Sequence, residues 1–182
     1  MSDLQTATFA SGCFWCTEAI FKRIKGVLTV KSGYSGGERP NPTYEQIHSG
    51  ATGHAESIQI QFDPQIISYE TLLDVFFATH DPTTKDRQGY DEGSEYRSII
   101  FYHNEVQKQQ VLAKVAALEK DKVFNDPIVT EIVPFYAFFE AEPEHHNYYE
   151  KNQSAPYCRL IIDPKIQKLM KHFTDDIKEE YK

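Results

Sequence analysis

The order of strand-like and helix-like segments is the feature that most limits the folds open to this chain. Residues 57–62, SIQIQF, alternate strictly between polar and apolar side chains and form the clearest predicted strand. Helical segments separate most of the other strand-like segments, but PIVTEIVP (127–134) and FYAFFEAE (135–142) follow one another directly. Consecutive strands do not fit a clean doubly wound fold. The pattern therefore predicts an α+β fold, with helices packed on a mixed or antiparallel sheet.

Further strands are predicted from short apolar or alternating segments, and three capping signals mark where helices begin. Thr43 and Gln46 have the Thr-x-x-Gln form of a capping box, and Ser68 and Asn104 stand at N-cap positions. The additional predicted strands span 7–10, 27–34 and 98–102, and the longer predicted helices span 14–24, 69–79 and 105–120.

The length and composition of the chain predict a single domain, 1–182. Its 182 residues are 40% hydrophobic and 25% charged, which is enough apolar material for one core. We find no internal repeat, low-complexity tract or obvious linker. Near the end, residues 160–162 predict a short strand, after which Asp163 and Pro164 would supply the N-cap and first-turn proline of a C-terminal helix.

Charge and cysteine content exclude several classes of function. The net charge of -8 argues against binding to nucleic acid, and no apolar window approaches the eighteen residues of a membrane span. The start, MSDLQTATFASG, lacks the basic and apolar regions of a secretory signal. Three cysteines are an odd and small number for a disulfide-stapled secreted protein. We therefore expect a cytoplasmic monomer that binds neither membrane nor nucleic acid.

Two of the three cysteines flank the only tryptophan in GCFWC, residues 12–16. If a strand ends near Ala10 and a helix begins near Phe14, Cys13 lies at a helix N-terminus, where unpaired N–H groups stabilise a thiolate. Cys16 follows one turn along on the same face, close enough for a disulfide. In a reducing compartment such a pair is more often catalytic or metal-binding than structural. The alternative is two buried thiols that pack as small hydrophobic groups.

Several polar residues near predicted strand ends could act with these thiols. Glu56 precedes the clearest strand, and apolar surroundings would raise its pKa so that it holds a proton at neutral pH, as a general acid must. Tyr44 and Tyr96 could donate hydroxyl hydrogen bonds to a substrate oxygen, and Asp91 lies in the same glycine-rich loop as Tyr96. Taken singly, each of these residues could equally be a solvated charge or a packing tyrosine.

Two other functions are possible from the cysteines alone. Structural zinc needs four Cys or His ligands, usually as two close pairs, but Cys158 has no near partner and His145-His146 has no cysteine pair beside it. We therefore expect no metal and no cofactor, although a metal-binding or protein-interaction domain remains an alternative. A general dithiol–disulfide oxidoreductase is the other alternative, but the Cys-x-x-Cys motif lacks the Gly-Pro centre of thioredoxin-like proteins.

Eight stretches of the chain, taken together and in order, resemble the A-type peptide methionine sulfoxide reductases. They cover roughly residues 7–160. The stretches are GCFWC (12–16), GYSGG (33–37), NPTYE (41–45), TGHAE (52–56), FDP (62–64), HDPT (80–83), RQGYDEGSEYRS (87–98) and EHHNYYEKN (144–152). The resemblance implies a two-layer α+β sandwich with a ferredoxin-like core. It also implies an enzyme of protein repair that reduces methionine sulfoxide of S configuration, in proteins or free, to methionine.

The resemblance also implies a role for each matching residue. Cys13 would be the nucleophile that becomes a sulfenic acid, and Glu56 would protonate or hydrogen-bond the sulfoxide oxygen. The remaining implied site residues are Tyr44 and Tyr96, which would hold that oxygen, Asp91, which would complete the polar wall, and Phe14 and Trp15, which would line a pocket for the substrate methyl group.

The sulfenic acid must then be reduced, and the resemblance implies a disulfide that thioredoxin reduces. Cys16 is our first choice as the resolving thiol because it is adjacent. Cys158 is the rival, since many relatives carry a cysteine on a glycine-rich mobile tail after a Tyr-Cys pair. Here PYCRLIIDPK (156–165) has no such glycines and predicts a strand leading into a helix, which favours a packed structural role for Cys158.

Overall fold

A computed structural model describes residues 3–182, so the first two residues of the predicted domain lie outside the described residues. The strands are β1 (Gln5–Ser11), β2 (Val27–Ser35), β3 (Ala55–Phe62), β4 (Arg87–Gln88), β5 (Asp91–Glu92), β6 (Ser98–Tyr102), β7 (Glu131–Pro134) and β8 (Phe138–Glu140). The helices are α1 (Phe14–Phe21), α2 (Tyr44–His48), α3 (Tyr69–Thr79), α4 (Glu105–Lys120), α5 (Tyr148–Lys151) and α6 (Asp163–His172). None of these helices is long and apolar enough to cross a membrane.

Six strands form one mixed sheet in the order β7-β6-β1-β3-β2-β8. The pairing of β6 with β7 is parallel, and the other four pairings are antiparallel. The segment β1-α1-β2-β3-α3-β6 is a split βαβ unit, and its strands lie in the order β6-β1-β3-β2, which is the ferredoxin-like arrangement. The predicted α+β class, mixed sheet and ferredoxin-like core are confirmed.

The main core lies between the sheet and the helices. Phe9 of β1 points into it and packs against Phe21 of α1 and Phe76 of α3, with ring centroids 5.5 Å and 5.2 Å away. Because side chains alternate along a strand, the neighbouring Ala10 belongs to a smaller cluster on the opposite face. Phe135, in the loop between β7 and β8, partly covers that cluster.

Most predicted elements lie where the sequence placed them, but the C-terminal region differs. The predicted strand 160–162 is wrong: Cys158–Ile162 forms a wide π-helical turn that runs directly into α6. A short apolar run has no period that separates a strand from a helix, so the sequence was ambiguous there. Asp163 is not an N-cap, because its backbone is already helical and its carboxylate instead accepts a hydrogen bond from the Tyr149 hydroxyl at 2.7 Å.

Candidate active site

The turn from β1 to α1 places Cys13 at the first turn of the helix, as the sequence predicted. Gly12 has a φ of +93°, and a Cβ atom there would lie 2.6 Å from the Gln88 side chain, so the turn requires glycine. The Cys13 carbonyl accepts the first helical hydrogen bonds, from the amides of Cys16 at 3.1 Å and Thr17 at 3.3 Å. The Cys13 side chain is buried beside the open N-terminus of α1.

Cys13 and Cys16 form a hydrogen-bonded thiol pair. Burial, with the hydrogen bond to Cys16, raises the pKa of Cys13, whereas the hydrogen bond from Cys13 lowers the pKa of Cys16 to about 7. The charge of Lys165 also lowers the pKa of Cys16. The helix terminus had predicted a thiolate at Cys13, but burial outweighs that effect. The pair shares one proton near neutral pH, with the negative charge favoured on Cys16.

Glu56 of β3 lies across from the helix terminus, and its two carboxyl oxygens differ. Oε2 accepts a hydrogen bond from the Phe14 amide at 2.9 Å. Oε1 is buried and has no hydrogen-bond partner among the described residues. The side chain is only 1% exposed, and burial raises its pKa to about 8, with a smaller upward effect of the Asp91 charge and a downward effect of the Phe14 amide. Glu56 therefore carries a proton at neutral pH.

Tyr44 and Tyr96 lie on two other elements, close enough for the Glu56 charge to raise their pKa. Tyr44 begins α2, which the predicted capping box of Thr43 starts, and Tyr96 ends the turn before β6. Burial raises the pKa of both phenols, and the charges of Glu56 and Cys13 raise it further. Both hydroxyls therefore stay protonated and can donate a hydrogen bond to an oxygen placed beside Glu56.

Asp91 lies on the Cys16 side of the site, where it accepts a hydrogen bond from a tyrosine that the sequence analysis did not select. The Tyr157 hydroxyl donates to Asp91 Oδ2 at 2.7 Å and lies 3.7 Å from Cys16 Sγ. Tyr157 precedes Cys158 in the segment that folds as the π-helical turn. Cys158 is fully buried and packs in the same cluster as Cys13 and Cys16.

Aromatic rings form the apolar wall of the site. The half-buried Trp15 stacks on Tyr148, with centroids 3.6 Å apart and planes 6° from parallel. Its indole N–H donates to His145 Nδ1 at 3.2 Å, which fixes the ring. The buried Phe14 packs against Tyr44 and His145, with ring centroids 6.4 Å and 5.3 Å away. The structure thus brings both predicted ring residues together with the polar groups.

Sequence reasoning missed four residues that contact the predicted ones: His48, His145, Tyr148 and Tyr157. The stretch EHHNYY contains His145 and Tyr148, but its residues alone indicate only weak metal ligands. His48 lies four residues after Tyr44 on α2, so helical spacing could have grouped the two rings. Tyr157 follows no local pattern, and long-range packing brings it to the site.

One group of described side chains brings possible metal-ligating atoms within 4.8 Å of one another: Glu142, Glu144 and His145. Most of these atoms already bind protein groups. Both oxygens of Glu142 accept hydrogen bonds, from the Tyr34 hydroxyl at 3.0 Å and the Tyr44 amide at 3.1 Å, and His145 Nδ1 accepts the Trp15 indole N–H. The group orders the aromatic wall.

Comparisons with known proteins identify the family of this chain. The family model described as peptide methionine sulfoxide reductase matches residues 5–177. The peptide methionine sulfoxide reductase MsrA of Sulfolobus acidocaldarius is 55% identical over 172 residues, which are 94% of this chain and 97% of that protein.

Two solved structures of Mxr1 from Saccharomyces cerevisiae are also similar. The reduced form has a TM-score of 0.78 at 31% identity and covers 87% of this chain and 92% of its own. The form solved in complex with Trx2 has a TM-score of 0.55 at 26% identity, and the match covers 81% of this chain and 88% of the Mxr1 chain. The chain belongs to the peptide methionine sulfoxide reductase family.

Proposed function

We propose that this protein reduces methionine sulfoxide of S configuration, in proteins or free, to methionine through a sulfenic acid on Cys13. The observation that carries the proposal is the Glu56 carboxyl, which is buried, has a pKa raised to about 8 and keeps one oxygen, near the thiol pair, without a hydrogen bond from the described residues. A sulfoxide is a poor electrophile until its oxygen is protonated or strongly hydrogen-bonded. Glu56 supplies that proton at the pH of the cell.

The remaining side chains orient the substrate. The sulfoxide oxygen lies toward Glu56, where Tyr44 and Tyr96 donate hydrogen bonds that strengthen as charge builds on that oxygen. The methyl group lies against Phe14 and Trp15. Because oxygen, methyl and lone pair have three different surroundings, only one sulfoxide epimer presents its sulfur to Cys13. Asp91 supports the opposite side through its hydrogen bond from Tyr157.

The first chemical step begins with the shared proton of the thiol pair. Cys13 gives its proton to Cys16, and the Cys13 thiolate attacks the sulfoxide sulfur while Glu56 protonates the oxygen. The oxygen then bonds to Cys13 sulfur, and both the original sulfur–oxygen bond and the bond formed between the two sulfurs break. Methionine sulfur gains two electrons, Cys13 sulfur loses two and becomes a sulfenic acid, and Glu56 is left as a carboxylate.

The second step resolves the sulfenic acid through Cys16. Cys16 sulfur attacks Cys13 sulfur, its proton leaves with the hydroxyl group as water, and a disulfide forms. Cys16 supports this role because it is already hydrogen-bonded to Cys13 and its pKa is near 7. Cys158 is the competing resolving thiol, and its place in the same cluster supports that alternative.

Thioredoxin is the proposed reductant of the disulfide. The similarity to Mxr1, which was solved in complex with Trx2, supports this choice. A reducing compartment is consistent with the three free cysteines of the structure. We propose that the protein acts as a monomer in the cytoplasm.

A single-turnover experiment tests the function and the resolving thiol together. Fully reduced protein is mixed with the S or R epimer of a methionine sulfoxide derivative in the absence of reductant, and product and protein masses are measured. We expect one equivalent of methionine from the S epimer only and a Cys13–Cys16 disulfide. Equal turnover of both epimers, or none, would contradict the function, whereas a Cys13–Cys158 linkage would move the resolving role to Cys158.

A further inference from the structure

We propose that His48 is a positioning residue that returns a proton to Glu56 between turnovers, an inference that rests on the proposed function. His48 is the last residue of α2, whose first turn the Thr43 capping box fixes. Its Nε2 lies 3.3 Å from Glu56 Oε1 and 3.2 Å from the Tyr96 hydroxyl oxygen. Its ring packs on that of Tyr44 with centroids 4.0 Å apart.

The contact between His48 and Glu56 involves the carboxyl oxygen that the substrate needs. Oε2 is held by the Phe14 amide, and Oε1 has no aligned hydrogen bond among the described residues. Nε2 of His48 is at ion-pair distance from Oε1. The imidazole can therefore pass a proton to Oε1 after a small rotation, without blocking Oε1 from a substrate oxygen.

Two buried histidines, His54 and His80, show by contrast why the half-buried His48 is suited to proton transfer. His54 Nδ1 accepts from the Gly37 amide at 2.9 Å, and its Nε2 donates to the Arg39 carbonyl at 2.7 Å. In His80 both ring nitrogens are likewise bonded, at 2.6 Å and 2.8 Å. These bonds fix one tautomer. His48 has no partner at Nδ1 among the described residues, so neither tautomer is fixed.

Burial explains why Glu56 needs such a neighbour. The Glu56 side chain is 1% exposed, whereas that of His48 is 25% exposed. A buried carboxylate left by the first chemical step has no direct contact with bulk water. Nδ1 of His48 is itself buried without a partner among the described residues, although the side chain as a whole is 25% exposed. The relay therefore includes a movement of the ring that brings Nδ1 to solvent.

Glu56 must take up a proton in each catalytic cycle. One turnover consumes the Glu56 proton and the shared thiol proton, and both leave in water. A dithiol reductant brings two protons with its two electrons: one restores the shared proton of the thiol pair and the other is released, so the Glu56 carboxylate still needs a group that delivers a proton to it. Protonated His48 gives its Nε2 proton to Glu56 Oε1, and the neutral imidazole then takes a proton from solvent.

The test separates the first turnover from later ones. His48→Gln keeps a hydrogen-bonding side chain that cannot ionise, and His48→Ala leaves space for added imidazole. With excess dithiothreitol, we expect both variants to form the first equivalent of methionine at the wild-type rate. Their steady-state kcat should fall by on the order of 10-fold with KM unchanged. Imidazole should restore kcat in His48→Ala. The control is His172→Ala, a change at an exposed histidine, which should neither lower kcat nor make kcat depend on imidazole.

Three results would overturn the inference. A wild-type kcat in both His48 variants would show that Glu56 recovers its proton by another route. An equal loss in the first and later turnovers, without imidazole rescue, would assign His48 to shaping the site alone. If the wild-type protein itself forms no methionine in the first turnover, the proposed function fails and the inference fails with it.

Discussion

Two buried glutamates, one on α1 and one facing its N-terminus, differ in one respect that decides what each can do. Glu56 and Glu18 are 1% and 3% exposed, burial raises the pKa of both, and both accept a backbone N–H from a distant segment. Both oxygens of Glu18 bind the Asn147 amide, at 3.1 Å and 3.0 Å. Glu56 binds the Phe14 amide through one oxygen only.

The pairing of Glu18 makes it a structural anchor. Asn147 has a left-handed backbone with φ of 54°, and it lies between His145 and Tyr148, which contact Trp15. Glu18 therefore fixes the segment that builds the aromatic wall. Burial alone does not identify a catalytic acid. A buried carboxyl oxygen that accepts no hydrogen bond from the described residues, in a group whose charge acts on a thiol, does.

The largest effect should follow a change at the thiol that faces Glu56. Cys13→Ser removes the sulfur that accepts the substrate oxygen, so sulfoxide reduction should be lost completely. The melting temperature should change little, because the hydroxyl is smaller and the site is polar. Activity is measured with the S epimer and dithiothreitol, and unfolding by calorimetry. Residual activity near the wild-type value would place the nucleophile elsewhere.

Glu56→Gln should reduce kcat by about 10²-fold or more. The amide can still donate a hydrogen bond to the sulfoxide oxygen, but it cannot give up a proton. Steady-state kinetics with saturating reductant measure the effect, and Glu18→Gln is the matched control. If both variants lost activity equally, the distinction between the two glutamates would be wrong.

The raised pKa of Glu56 also predicts how stability depends on pH. The pKa is 4.5 ordinarily and about 8 in the folded protein, so the folded state holds this proton more tightly than the unfolded state. Protonation of Glu56 adds on the order of a few kcal/mol to the free energy of unfolding. This contribution is fully present below pH 4.5 and is lost as the pH rises from 4.5 to 8. Urea unfolding from pH 5 to pH 9 should show wild type losing stability relative to Glu56→Gln. A constant difference would contradict the shift.

Glu18→Gln should mainly affect stability. The Glu18 carboxylate accepts the Asn147 amide through both oxygens, and the substitution replaces it with a neutral amide. The free energy of unfolding should therefore fall by about 1–2 kcal/mol. The value of kcat should stay within a few-fold of wild type. Urea unfolding at pH 7 measures the first effect. A large loss of kcat with unchanged stability would make Glu18 a chemical rather than a structural group.

The smallest effect is expected at Lys22, which donates a hydrogen bond to the Asn147 side chain and lies 3.9 Å from Glu150. This part of the anchor is 30% exposed, so water and salt screen it. Lys22→Met should cost less than about 1 kcal/mol of stability, by urea unfolding. If Lys22→Met lowered the free energy of unfolding more than Glu18→Gln does, Lys22 rather than Glu18 would be the main anchor of the Asn147 segment.

The sequence was informative where the signal was local. The capping residues Thr43, Ser68 and Asn104 all cap their predicted helices, because a cap depends on atoms three residues away. The grouping of Cys13 with Glu56 required the resemblance, since a strand from elsewhere in the chain supplies the carboxyl.

The sequence was uninformative about groups that only long-range packing brings together. Tyr157 reaches Asp91 across 66 positions, and His48 meets Tyr96 across 48. The unpaired oxygen of Glu56 and the double pairing of Glu18 are also properties of packing. No periodicity or spacing encodes them, so the roles of these two glutamates could not be separated before the structure.

The titration of the Glu56 carboxyl carbon tests the central claim most directly. Protein labelled with ¹³C in glutamate side chains is followed by NMR from pH 4 to pH 10, and Glu56→Gln identifies the resonance. We predict a midpoint near pH 8, so that the carboxyl is protonated at neutral pH beside the thiol pair. A midpoint near 4.5 would contradict the claim that Glu56 gives its proton to the sulfoxide oxygen.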